Sequence, residues 1–150
     1  MDPQKTYTEF SKALNATGRA IHFNMCEWGV NSPWVWGAAV AQSWRATGDH
    51  TPTWNDTRAK IAHRSAIPSK YGGSAYAWND LDMLESGNYQ QAAHANHKVG
   101  TMSAAEYKTE FSMWAIFASS LVVTTPILNC SQTDQIMGSY TPGAHAHAPC

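Results

Sequence analysis

The chain has 150 residues, enough for one ordinary domain with a single core. At 43% hydrophobic residues it is too apolar for a disordered chain, and a formal net charge of −1 without any basic cluster argues against a nucleic-acid partner. The longest apolar run, 113–128, is interrupted by Ser119, Ser120, Thr124, Thr125 and Pro126 and is shorter than the ~20 residues of a membrane helix, so no membrane association is expected.

In chain order, TYTEFSKALNATG (6–18) places apolar residues at 7, 10, 13 and 14 and stops at Gly18, which predicts a helix. AIHFNMCEWG (20–29) alternates like a strand, with Ile21, Phe23 and Met25 on one side. PWVWGAAVA (33–41) predicts a short helix opened by Pro33. QSWRATGD (42–49) is strand-like and ends in Thr-Gly-Asp, and 53–67 is helical. SAYAWNDLDML (74–84) begins as a strand and ends in acids. Residues 85–101, rich in Gly, Asn, Gln and His, predict a long loop. Ser103 and Glu106 form a capping box that opens the clearest helix, SAAEYKTEFSMWAIFAS. LVVTTPIL (121–128) has the β-branched character of a parallel strand buried on both faces. Residues 131–150 form an unassigned, loop-like tail. A helix followed by repeated strand–helix units predicts α/β with parallel strands, and four strands amount to half of an eightfold barrel.

Asn15, Asn55 and Asn129 each begin a glycosylation sequon, although the N-terminus carries no apolar signal core. Together the sequons point to a secretory protein. Cys26, Cys130 and Cys150 make an odd count; Cys130–Cys150 is one candidate disulfide, and an unpaired or externally paired cysteine follows in any case. His94, His97, His145 and His147 lack partners at ligand spacing, so neither a metal nor a cofactor is expected.

Three strand-like segments end in an acid: Glu27, Asp49 and Asp82, with Asp80 beside the last. In a parallel barrel these ends converge on one pocket. Carboxylates held together shift one another's pKa values, which is how one stays protonated as a general acid while another stays charged. Trp28, Trp34, Trp36, Trp44 and Trp78 lie near the same ends. Flat rings suit the C–H face of a sugar, and carboxylates with Arg45 suit its hydroxyls. Each residue also has an ordinary reading: an Asp after a strand as a helix N-cap, Arg45 with Asp49 as an ion pair, Trp beside Pro as core, and Asp80 as a brace at the barrel rim.

ALNATGRAIHFNMCEWG, SWRATGD, WNDLDMLESGN and EYKTEFSMWAIFASSLVVTTPI resemble, in order, the motifs of glycoside hydrolase family 27, the α-galactosidases or melibiases. The resemblance runs from about residue 7 to about 130. It implies strands 5 to 8 of a (β/α)8 barrel over residues 1–130, without the first half of the barrel or the β-sandwich domain that follows it. It further implies a retaining reaction on a terminal α-linked galactose of an oligosaccharide or glycoconjugate, in a secreted or lysosomal-type compartment.

By motif, Asp49 matches the acid/base and Arg45 the arginine that contacts the sugar and its nucleophile. Cys26, Glu27 and Trp28 match the segment lining the galactose site. Glu27 falls where the family places an acid near the 2-hydroxyl, a position taken by a small residue in α-N-acetylgalactosaminidases. Asp82 and Met83 match a pocket-wall pair. The family's nucleophile sits at a Lys-Tyr-Asp-like strand end in the preceding unit, so this chain alone is expected to be inactive. Leu81 replaces a family proline, and Ser119-Ser120 replaces Ala-Pro. The other readings are an α-N-acetylgalactosaminidase, a non-catalytic galactose-binding remnant and a non-functional gene fragment that folds poorly. The exposed edges of a half barrel are expected to invite self-association.

Overall fold

The computed structural model of the chain describes residues 2–86, 92–93, 98–99 and 102–124. Asn129, Cys130, Cys150, the four histidines at 94, 97, 145 and 147, the tail 131–150 and the second half of the 121–128 segment lie outside the described residues.

Helix α1, Pro3–Ala16, starts earlier than its apolar pattern because Asp2 caps it, accepting from the Gln4 N–H at 3.0 Å, and Pro3 fills the first turn. It buries none of its residues fully. Tyr7 and Phe10 lean on the Phe23 ring, and the Ser11 hydroxyl donates to the Val40 carbonyl at 2.6 Å.

The strands are shorter than the sequence implies. β1 is Asn24–Met25, β2 is Ser43–Arg45 and β3 is Trp78–Asp80. They form a parallel sheet in the order β1-β2-β3, pairing Met25 with Trp44, Trp44 with Asn79 and Arg45 with Asp80. Before β1 the Phe23 N–H is taken by the Gln42 side-chain oxygen at 2.7 Å, so a side chain stands in for ladder pairing there. Side chains alternate across a strand, so Met25, Trp44 and Asn79 share one face while Arg45 and Asp80 share the other. On the first face the Trp44 indole N–H donates to Asn79 Oδ1 at 2.8 Å; on the second the Asn24 amide donates to Asp80 Oδ2 at 2.7 Å.

The helix expected over 33–41 divides into α2, Pro33–Trp36, and a 3-10 turn, Gly37–Ala39. Gly37 lies flat against the Trp44 ring, where a Cβ would collide. α3, Trp54–Ala66, is capped by Thr53, and α4, Ala104–Ile116, opens on the Ser103/Glu106 capping box. A short antiparallel pair, β4 Ala92–Ala93 with β5 Lys98–Val99, lies in the segment expected to be pure loop.

Leu84 makes one parallel bridge to Val123, through Leu84 N–H to Val122 O at 2.7 Å and Thr124 N–H to Leu84 O at 3.1 Å. The expectation of a strand buried on both faces fails at its start: Leu121 and Val122 are 47% and 52% exposed, since the described ties of the segment to its neighbour gather at Val122–Thr124 and form a single β-bridge rather than a ladder. Two apolar clusters support the sheet. Met25, Val40, Ala41, Trp44 and Ala77 lie under β1 and β2; Leu81, Leu84 and Trp114 lie under the exit of β3. Among the described residues no helix is long and apolar enough to cross a membrane.

Candidate active site

The chain leaves β1 through a tight turn. Trp28 at φ +63° and Gly29 at φ +77° both take the left-handed region, which is uncommon for tryptophan and costs about 1–3 kcal/mol there. Gly29 is required because a side chain would run into the Ala46 carbonyl beyond β2. The turn leaves Cys26 exposed, with its carbonyl accepting from the Tyr7 hydroxyl at 3.0 Å. It buries Glu27 and leaves Trp28 half exposed. Glu27 Oε1 accepts from the Asn31 N–H and side-chain amide, both at 2.9 Å. Its Oε2 is buried and has no hydrogen-bond partner among the described residues. A carboxylate oxygen held out of water in this way is an acceptor awaiting a donor.

β2 delivers Arg45, which is buried. Its Nη2 lies 3.2 Å from Asp49 Oδ1 and 3.0 Å from Asp82 Oδ2, so one guanidinium nitrogen joins the loop after β2 to the loop after β3. Asp82 is largely buried at 13% side-chain exposure, whereas Asp49 keeps 54%. Asp49 is therefore the carboxylate of the pair that a ligand in solvent reaches. Asp82 stands at φ +85°, held there by its N–H donating to Asp80 Oδ1 at 2.9 Å. Asp80 thus does brace the rim, tying Asn24 of β1 to Asp82. Met83 is 39% exposed, and its main-chain carbonyl faces His50.

Lys60 of α3 is buried and donates to the Gly48 carbonyl and, at 3.2 Å, to Thr47 Oγ1, fixing the two residues before Asp49. Burial lowers its pKa, opposed in part by nearby Asp56. Trp28, Thr47, Gly48, Asp49, Lys60 and His63 line a cleft of about 310 Å³ that brings the β1 exit to the Asp49 loop.

His50, next to Asp49, is buried. Its N–H donates to Asp82 Oδ2 at 2.7 Å, and Nδ1 lies 3.1 Å from the Met83 carbonyl, so Nδ1 carries the proton. Nε2 lies 3.1 Å from Thr57 Oγ1, and the ring stacks on Trp114 with centroids 5.1 Å apart. Glu110 of α4 reaches to 3.4 Å from Nδ1 and also accepts from the Glu85 N–H and the Ser86 hydroxyl. Desolvation lowers the His50 pKa from 6.5 to about 4 and raises that of Glu110 from 4.5 to about 7, so burial favours the neutral form of each.

Arg45, Asp49 and Asp82 are thus joined directly, and Trp28 shares a cleft with Asp49. Glu27 is bonded to its own loop, Cys26 presents its carbonyl to Tyr7, and Met83 takes part through its backbone. Sequence reading missed His50, Lys60 and Glu110. His50 directly follows the Gly-Asp pair, but no periodicity marks it as buried.

A family model described as Alpha galactosidase A, of the melibiase type, matches residues 1–138. α-Galactosidase A of Cellvibrio japonicus is 34% identical over 143 residues, covering 89% of this chain and 32% of that protein. α-Galactosidase 3 of Arabidopsis thaliana is 38% identical over 127 residues, covering 85% and 26%. The chain therefore spans about a quarter to a third of these relatives' length. Among solved structures, a Bacteroides fragilis protein assigned to the α-galactosidase/melibiase group superposes with a TM-score of 0.82 at 27% identity, over 91% of this chain and 30% of that one. α-Galactosidase I of Mortierella vinacea shares the fold, with a TM-score of 0.69 at 23% identity over 91% and 36%. On the strength of the family match and these relatives, the chain belongs to glycoside hydrolase family 27, the α-galactosidases or melibiases, and its α/β fold corresponds to part of their barrel.

Proposed function

We propose that residues 1–130 are strands 5 to 8 of a family 27 barrel and supply the acid/base half of a retaining α-galactosidase site. The observation that carries this reading is the pair of contacts from Arg45 Nη2 to Asp49 and Asp82, at 3.2 and 3.0 Å, on the C-terminal side of the parallel strands. Asp49, half exposed beside a cleft, is placed to give a proton to a leaving oxygen and later to take one from water. Asp82 is neutralised by Arg45 and by the His50 N–H, which suits a wall that orients the ring.

Glu27 Oε2, buried without a donor among the described residues, is the acceptor assigned to the 2-hydroxyl of galactose in this reading. An acetamido group would crowd this carboxylate, which favours galactose over N-acetylgalactosamine. An inverting pair made of Asp49 and Asp82 is disfavoured. Both carboxylates contact one nitrogen, leaving their near oxygens closer than the ~6.5–9.5 Å that admits a water between two carboxyls.

A retaining displacement needs a second carboxyl ~5–5.5 Å from the acid/base, and the 150 residues hold no Lys-Tyr-Asp strand end to provide it. In this reading the chain recognises galactose and does not hydrolyse it by itself, and the substrate of the complete enzyme is a terminal α-galactoside. The exposed sequon residues Asn15 and Asn55 fit a secretory compartment.

The test has two arms. Titration calorimetry on the chain should give saturable, millimolar-range binding of galactose and weaker binding of N-acetylgalactosamine, with no galactose released from an α-galactoside. In an enzyme with the whole barrel, Asp49→Asn should lower turnover of an unactivated α-galactoside by about 10²–10⁴-fold. Full turnover in that variant would remove the assignment of Asp49.

A further inference from the structure

His50 touches five residues on three segments around the site. Its backbone N–H holds Asp82, Nδ1–H faces the Met83 carbonyl and Glu110, Nε2 meets Thr57 of α3, and the ring lies on Trp114 of α4. No solvent reaches the imidazole, since its side chain is only 1% exposed. The residue before it is Asp49, whose own side chain has Arg45 as its one described ion-pair partner and is otherwise half in solvent. An exposed carboxylate on a loop is placed only as well as the backbone that carries it. On the N-terminal side that backbone is held by Lys60 through Gly48; on the C-terminal side it is held by the His50 N–H on Asp82 and by the imidazole seated among Met83, Thr57, Glu110 and Trp114.

We infer that His50, seated against Glu110, is the positioning residue that holds the Asp49 loop against Asp82 and so sets the geometry of proton transfer. This rests on the reading of Asp49 as acid/base. The His50 side chain is buried, so its effect passes through the neighbours it holds, Asp49 next to it and Asp82 and Met83 across from it. Glu110 completes the seat: it accepts from the Glu85 N–H and Ser86 hydroxyl at 3.0 and 2.8 Å and so anchors α4 to the segment that follows Asp82.

The test joins hydrogen exchange on the chain with kinetics in the complete family 27 enzyme carrying these residues. His50→Ala, His50→Asn and Glu110→Gln are compared with wild type. The asparagine keeps a donor near the Nδ1 position and is the conservative rescue, and it also covers the case in which the alanine variant does not fold. In His50→Ala the amides of 49–51 and 82–84 should exchange at least about tenfold faster, while those of β1 and α1 change by less than about twofold. In the enzyme, His50→Ala should lose about 10²-fold on an α-galactoside with a poor leaving group, which needs the proton. On one with a strongly acidic leaving group, which does not, the loss should be less than about threefold. His50→Asn should restore most of the difference.

Equal losses on both substrates, or exchange that rises uniformly across the chain, would mean that His50 is only packing and would overturn the inference. Unchanged exchange and kinetics would overturn it as well. Asp49→Asn keeps the two readings apart. If it retains full turnover, the acid/base assignment fails; if it is inactive while His50→Ala behaves as wild type, only the role of His50 fails.

Discussion

Glu27 leaves β1 above Met25, Val40, Ala41, Trp44 and Ala77, whereas Asp82 leaves β3 above Leu81, Leu84 and Trp114 with His50, Glu85 and Glu110 buried beside them. The first wall of the site rests on an apolar floor, and the one bonded oxygen of its buried acid, Glu27 Oε1, is held within four residues by Asn31. The second wall is assembled by contacts spanning tens of residues: Arg45 to Asp82, His50 to Met83 and Trp114 to the Asp82 carbonyl. A wall built locally keeps its shape whenever its loop forms. A wall built from buried charge holds only while each member has its partner, so the two should respond differently to substitution and to pH.

The largest contrast should come from the two fully buried tryptophans. Trp44→Ala and Trp114→Ala each remove a large ring from a packed cluster and should each cost about 3–5 kcal/mol in a denaturant titration. Only Trp114→Ala also removes the 2.8 Å bond to the Asp82 carbonyl and the surface under His50. The trade should appear in galactose affinity at matched folded fraction, lowered by Trp114→Ala and kept by Trp44→Ala. Equal affinities would show that the two walls are not separable.

The next contrast is in pH. Because the fold lowers the His50 pKa, His50 is a stability penalty that grows as pH falls from about 6.5 toward 4, where the unfolded chain gains a proton that the folded one refuses. Because the fold raises the Glu110 pKa, Glu110 works in the opposite direction: its stabilisation is complete below about pH 4.5 and is lost as pH rises through about 7. The two slopes oppose each other between about pH 4.5 and 6.5, so the contributions of His50 and Glu110 offset one another there. Lys60, Asp56 and Asp82 also face His50, and Glu85 faces Glu110, but none of them replaces either slope. Glu110→Gln should expose the His50 slope, losing on the order of 3 kcal/mol from pH 6.5 to 4. His50→Gln should tilt stability the other way. A Glu110→Gln variant that stays flat would mean that the pair is not held neutral.

Arg45→Ala should come next, at about 2–3 kcal/mol, because Asp82 loses its cation while largely out of water and Asp49 turns to solvent. Denaturation at low and high salt measures it, and a change below about 0.5 kcal/mol would mean that the guanidinium does not join the two loops.

The elements with strong local signals were legible. The Ser103/Glu106 box fixed the start of α4, and the period of 53–67 fixed α3 almost to the residue. The strands were legible in place but not in length, because β1 to β3 gain their ladders from neighbours that no local pattern records. The exposure of Leu121 and Val122 has the same origin: β-branched residues state a preference, and pairing decides burial. In the site, strand-end acids were visible as such, and Arg45 with Asp49 follows from a spacing of four. The joining of Asp82 to them, and most of the His50–Glu110 seat, depends on contacts 24 to 64 residues apart in sequence, which hydrophobic periodicity does not encode.

The smallest effect on stability belongs to Glu27, and it is the sharpest probe of the local wall. Glu27→Gln keeps the side-chain oxygen that accepts from Asn31 and replaces the unpartnered Oε2 with an amide, so the fold should change by less than about 1 kcal/mol. Galactose affinity should nevertheless fall by about tenfold or more, since a charge-assisted bond to a hydroxyl becomes a neutral contact or a clash of donors. 2-Deoxygalactose separates this from a general loosening: wild type should bind it as weakly as the variant binds galactose, and the variant should bind both sugars alike. If Glu27→Gln bound galactose as wild type does, Oε2 would not be the acceptor of the 2-hydroxyl, and recognition would have to rest on the Arg45 wall.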